Sequence, residues 1–135
     1  MTAFHYAFKV KDIESTIYFY HNILQCKIGR QTENWVDFDF FGHQLSAHVS
    51  KRIIDLDYCG LVDGIQVPIP HFGCILNSTN FNFIKKQLEK YDVEFLVKPQ
   101  IRYKNLKGEQ QTMFVLDYSN NPIEFKCFTN DNEVF

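Results

Sequence analysis

A chain of 135 residues, 45% hydrophobic and 22% charged, suits one domain with a sizeable core and is neither disordered nor collagen-like. Fourteen Lys+Arg against sixteen Asp+Glu give a net charge of -2 without a basic cluster, which excludes nucleic acid as an expected partner. No apolar run approaches the roughly 20 residues that span a bilayer, and Met1–His5 has no secretory pattern, so the expectation is a cytoplasmic protein. Cys26, Cys59, Cys74 and Cys127 are widely spaced without a C-x-x-C pair and are expected to be reduced and structural.

Phe4–Val10 alternates with period two, Phe4, Tyr6, Phe8 and Val10 against His5, Ala7 and Lys9, and predicts a strand. Asp12 is an N-cap for a helix carrying Ile13, Ile17, Tyr20 and Leu24. A short strand follows at Cys26–Ile28, ended by Gly29. Trp35–Phe40 and Gln44–Val49 are two further alternating strands around the Phe41-Gly42 turn. Residues 51–69 form a connection closed by Pro68 and Pro70. The order then restarts: strand His71–Leu76, a helix capped by Ser78 or Thr79 with Phe81, Ile84, Leu88 and Tyr91, strand Val93–Val97, a polar loop 99–109, and strands Gln111–Leu116 and Pro122–Phe128. The tail Thr129–Phe135 is expected to be loose.

Each half reads β-α-β-β-β, so the chain is two copies of one unit, about 3–50 and 70–128, within a single domain 1–135. His5 and His71, Ile17 and Ile84, and His48 and Glu124 fall at similar places in the two copies. The predicted class is α+β, with paired βαβββ modules forming a curved mixed sheet around a concave cup.

Successive side chains of a strand point to opposite faces. The apolar phases Phe4/Tyr6/Phe8/Val10, Leu45/Ala47/Val49, Phe72/Cys74/Leu76 and Ile123/Phe125/Cys127 belong under the helices. His5, His48, His71 and Glu124 then fall on the opposite face, on the first and last strands of the two halves. Imidazoles and a carboxylate converging in a partly dry cup make a first-row metal site, and two His with one carboxylate is the triad of non-haem iron enzymes. His21 reads as a rim residue and His43 as part of a turn. Asp37 and Asp39 share the cup phase and read as solvated or as partners for Lys or Arg. Tyr58, Arg102 and Tyr103 are loop residues near the rim and candidates for an acid/base role.

The stretch Asp117-Tyr118-Ser119-Asn120-Asn121-Pro122-Ile123-Glu124-Phe125, with a histidine near the start of each half, resembles the vicinal oxygen chelate superfamily of glyoxalases, bleomycin resistance proteins and extradiol dioxygenases. Tyr118 and Asn120 stand where that family commonly has Pro and Gly, while Asp117, Asn121 and Glu124 match. Phe19-Tyr20-His21-Asn22-Ile23-Leu24 resembles its Phe-Tyr-x-x-x-Leu signature. The resemblance implies His5, His71 and Glu124 as metal ligands. It places a fourth position on the strand of Gln44, Ser46 and His48, of which His48 is the chemically able one. It implies a divalent first-row metal, Fe(II) foremost, then Mn, Ni or Zn, a small-molecule substrate with two adjacent oxygens, and a homodimer. The activity it favours is dioxygenase-like ring cleavage. The alternatives are a glyoxalase-type isomerase or lyase, with Glu124 and His48 catalytic, and a metal-free binding protein of the drug-resistance kind.

Overall fold

The alternation of the first strand is visible in its burial: in β1 (His5–Val10), Phe8 and Val10 are buried while His5, Ala7 and Lys9 are exposed. The computed structural model describes residues 1–135 and divides into two units, Met1–Asp55 with Asp117–Asn121, and Leu56–Leu116 with Pro122–Phe135. Both have the same mixed topology, so the fold is α+β with paired βαβββ units.

In the first unit, the Asp12 carboxylate accepts the Ser15 N–H at 2.7 Å and starts α1 (Ile13–Ile17). A π-helical turn, Tyr18–Ile23, continues it and buries Phe19, Tyr20 and Ile23. β2 (Lys27–Gln31), β3 (Trp35–Phe40) and β4 (His43–Val49) follow, in the sheet order β1-β4-β3-β2 with β1 parallel to β4. Gly29 lies inside β2 rather than ending it, beside a register shift between Ile28 and Gln31. A bulge absorbs a glycine that sequence punctuation reads as a stop. Phe4, expected in the core, is 65% exposed, because it precedes the β1 ladder.

Residues Asp117–Asn121, the motif-bearing turn, belong to this first unit. Asp117 Oδ1 accepts the N–H groups of Ser119 and Asn121, both at 2.8 Å. Its other oxygen accepts the Tyr20 hydroxyl at 2.7 Å and the Asn121 side-chain amide at 2.9 Å. Asn121 also donates to the Lys9 carbonyl at 2.8 Å, and Ser119 Oγ accepts the Lys11 N–H at 2.9 Å. Burial pushes the Asp117 carboxyl above the usual carboxylate range, against the pull of these hydrogen bonds, and burial raises Tyr20 well above the ordinary phenol. The Asp and Asn of the motif are thus anchors of a turn.

The second unit begins with a hairpin, β5 (Gly60–Val62) and β6 (Ile65–Val67), inside the stretch expected to be a plain connection. Its turn residues Asp63 and Gly64 both have positive φ, the conformation that an Asp-Gly pair adopts in two-residue hairpins. β7 (Phe72–Ile75), α2 (Ser78–Lys90), β8 (Phe95–Arg102), β9 (Gln110–Leu116) and β10 (Pro122–Phe128) complete the unit. The sheet order is β7-β10-β9-β8, with β7 parallel to β10. Asn77, not Ser78 or Thr79, caps α2, accepting the Asn80 N–H at 2.8 Å. β8 runs on through Pro99 into the region expected as loop, which an edge strand tolerates. The tail is also held: Asp131–Glu133 form a 3-10 turn, and Glu133 accepts the Gly108 N–H at 2.6 Å.

Ile123, Phe125, Met113 and Val115 share one face of this sheet, and α2 packs on β10 through the side that buries Phe81, Ile84 and Leu88. The other face carries Glu124, Phe114 and Val97, which pair across the ladder. The hairpin covers part of it: Val62, Val67, Val97 and Phe114 form one buried cluster.

Candidate active site

The second unit brings His71 and Glu124 together. Both line a cavity of about 210 Å³ with Phe72, Gly73, Cys74, Ile75 and Lys126. Glu124 sits level with Gly73 across the parallel β7–β10 pair. A Cβ built at Gly73 would collide with the Glu124 backbone carbonyl, so only glycine lets the two strands close at the site. Glu124 is nearly buried, and its Oε1 lies 3.1 Å from the Lys126 ammonium. The His71 ring stands edge-on to Phe114, centroids 4.9 Å apart at 80°. Its Nδ1 is 2.8 Å from the Pro68 carbonyl. A carbonyl only accepts, so Nδ1 donates, and Nε2 is the ring nitrogen left for a ligand.

The first unit prepares His5 in the same way. His5 lies beside Gln44 in the parallel β1–β4 register, and its Nδ1 is 2.7 Å from Gln44 Oε1. Gln44 Nε2 donates to Asp37 Oδ2 at 3.4 Å, and the other Asp37 oxygen accepts the Ser46 hydroxyl at 2.6 Å. Arg30 stands 3.9 Å from the same carboxylate. With its amide nitrogen turned to Asp37, Gln44 offers its oxygen to His5, which fixes the proton on Nδ1 and leaves Nε2 open. A metal-ligating histidine commonly donates its other nitrogen to such a partner.

His48 is placed elsewhere. It pairs with Lys9 and Trp35, four residues along β4 from Gln44, hence about 13 Å away at 3.3 Å per residue. Its ring lies 6.3 Å from that of Trp35. The β4 residue beside His5 is therefore Gln44, and His48, expected at the same site, lies four residues further along the strand. The repeat shows the same: continuing the β7–β10 ladder back one residue sets His71 level with Pro122, so Glu124 corresponds to Ser46, two residues past Gln44.

Asp37, read from sequence as solvated or as a partner for Lys or Arg, is buried, bonds to Ser46 and Gln44, and has Arg30 at 3.9 Å. Its signal was its phase, shared with His5 and directly across from Ser46. Asp39 accepts the Gly42 N–H at 2.7 Å and holds a turn. His43 Nδ1 accepts the Phe4 N–H at 2.9 Å, and His21 Nδ1 donates to the Cys26 carbonyl at 2.8 Å, so both are structural. Arg102 is engaged by Asp63 at 3.2 Å and by the Tyr103 hydroxyl at 3.2 Å, and neither it, Tyr103 nor Tyr58 lines the His71–Glu124 cavity. No group of three or more His, Cys, Asp or Glu side chains is gathered to hold a metal. The donors that line the second unit's cavity, the His71 imidazole and the Glu124 carboxylate, fit a first-row metal in kind.

No protein-family model and no curated protein matches the chain. Solved structures do. A glyoxalase/bleomycin resistance protein/dioxygenase from Alicyclobacillus acidocaldarius is 28% identical with a TM-score of 0.83, over 99% of this chain and 96% of that one. These structural neighbours are of the vicinal oxygen chelate superfamily, whose fold the chain shares. The fosfomycin resistance protein FosX from Listeria monocytogenes, 15% identical with a TM-score of 0.71 over 100% of this chain and 97% of that one, shares the superfamily's fold. No helix is long and apolar enough to cross a membrane.

Proposed function

We propose that this chain is a member of the vicinal oxygen chelate superfamily and a metal-dependent enzyme acting on a small molecule with two adjacent oxygens, of the dioxygenase-like kind, with His5, His71 and Glu124 as the metal-holding residues. The observation that carries the reading is the matched preparation of the two histidines: each donates Nδ1 to an oxygen, Gln44 Oε1 or the Pro68 carbonyl, and keeps Nε2 free. When bound, a divalent first-row metal, Fe(II) foremost and Mn, Ni or Zn after it, supplies Lewis acidity, a template for vicinal oxygens and, for iron, a redox centre.

The protein's own part is orientation and exclusion of water. Gln44 and Asp37 hold the His5 ring, Pro68 and Phe114 hold His71, and the strand closure at Gly73 seats Glu124. Phe114 and the apolar cluster beneath the β5–β6 hairpin form a dry wall along the sheet face that carries Glu124. A glyoxalase-type isomerase with His48 as fourth ligand is disfavoured, because Gln44 occupies the place beside His5. A metal-free binding protein has one observation in its favour, the Lys126 ammonium on Glu124.

We also assign a homodimer, tested by light scattering, and a cytoplasmic location, in keeping with four cysteines that form no disulfide. The test of the activity is oxygen uptake by anaerobically Fe(II)-loaded protein with a panel of catechols. Uptake lost in His71→Ala supports ring cleavage. Metal-loaded protein inert to every catechol but active on a 2-oxoaldehyde–thiol adduct supports the isomerase.

A further inference from the structure

The carboxylate assigned to the metal already has a cation on it. Lys126 follows Glu124 by two residues on β10, so their side chains share a face, and the ammonium lies 3.1 Å from Glu124 Oε1. The Glu124 side chain is 6% exposed and that of Lys126 33%, and both line the His71 cavity. A carboxylate this buried is costly unless paired, and the lysine supplies the partner. Directly across from Lys126 on β9 is Thr112, fully buried, whose hydroxyl has no hydrogen-bond partner. An orphaned buried hydroxyl on the same face is an acceptor waiting for a donor.

We propose that Lys126 is the resident counter-cation of Glu124, and that a divalent metal binds by displacing it toward the Thr112 hydroxyl. This rests on the reading of Glu124 as a metal ligand. An ammonium and a metal ion cannot share one carboxylate closely without strong repulsion in a site shielded from water. The lysine therefore holds the Glu124 side chain in place before loading, and it weakens metal binding by competing for the same oxygens.

The test is calorimetric binding of Zn(II) and Mn(II) to the full chain and to Lys126→Met, Lys126→Gln and Lys126→Arg, with thermal unfolding of each protein with and without metal. Removing the charge in Lys126→Met or Lys126→Gln tightens metal binding by about tenfold or more. Lys126→Gln keeps a hydrogen-bond donor for Glu124 and so guards against a folding failure in Lys126→Met. Lys126→Arg stays near the parent affinity. Without metal, the two neutral variants unfold below the parent; saturating metal removes the deficit. Neutral variants that bind metal no more tightly than a metal-binding parent overturn the competition while leaving Glu124 as a ligand. If neither parent nor variants bind metal, the competition and the metal reading both fall. Metal binding by the neutral variants alone supports the proposal in its strongest form.

Discussion

His5 and Gln44 stand side by side on the parallel strands β1 and β4, with His5 Nδ1 2.7 Å from Gln44 Oε1. The contact gives Gln44 a job that needs no direct bond to a metal: it selects the tautomer of His5. Gln44→Ala leaves the ring free to turn or to place its proton on Nε2. Metal affinity measured by competition with a chromophoric chelator is expected to fall by about 10–100-fold, while unfolding is little changed because Gln44 is exposed.

His48→Ala is expected to do neither. The side chain is exposed beside Trp35 and four residues from the His5 level. Metal affinity should match the parent, and stability should shift by no more than about 0.5 kcal/mol. A clear loss of metal in this variant would return His48 to the site.

Gly73→Ala tests the strand closure beneath Glu124. The added methyl meets the Glu124 carbonyl, and backbone on both sides must part. Denaturant unfolding should show a loss of about 1–3 kcal/mol or more, with impaired metal binding in whatever folds.

Tyr20 and Asp117 set a pH signature. Burial raises the folded Tyr20 phenol well above its ordinary value, so the stability it contributes is fully present below about pH 10 and is lost at more alkaline pH, as the unfolded chain ionises. Asp117 is also raised, chiefly by burial, so its contribution is greatest below the ordinary carboxylate range and is lost as pH rises through the folded value. Tyr20→Phe removes the alkaline component and costs about 1–3 kcal/mol at neutral pH, because it strips a hydrogen bond from a buried carboxylate. Unfolding midpoints from pH 7 to 11 read both effects. An alkaline slope as steep as the parent's would contradict the assignment to Tyr20.

The repeat was legible because alternation and helix caps act locally: β1, β3, β9 and β10 lie within a residue of their predicted bounds. Gly29 and Pro99 misled, since a bulge and a sheet edge accommodate residues that otherwise stop a strand. The β5–β6 hairpin was signalled by Asp63-Gly64 but hidden by its three-residue strands. His5, His71 and Glu124 stood out by phase. Register did not, and it is register that sets Gln44, not His48, beside His5. The buried Asp37–Ser46 pair depends on that register too, and no spacing within either strand reveals it.

The proposed metal-holding role of His5, His71 and Glu124 is tested by metal stoichiometry and affinity after reconstitution of the parent chain and of His5→Ala, His71→Ala and Glu124→Gln. The parent is expected to take up about one divalent ion per chain. Each of the three variants is expected to stay folded and to lose about 100-fold or more in affinity. A parent that takes up no metal, or any one of these variants binding it as the parent does, would contradict that role.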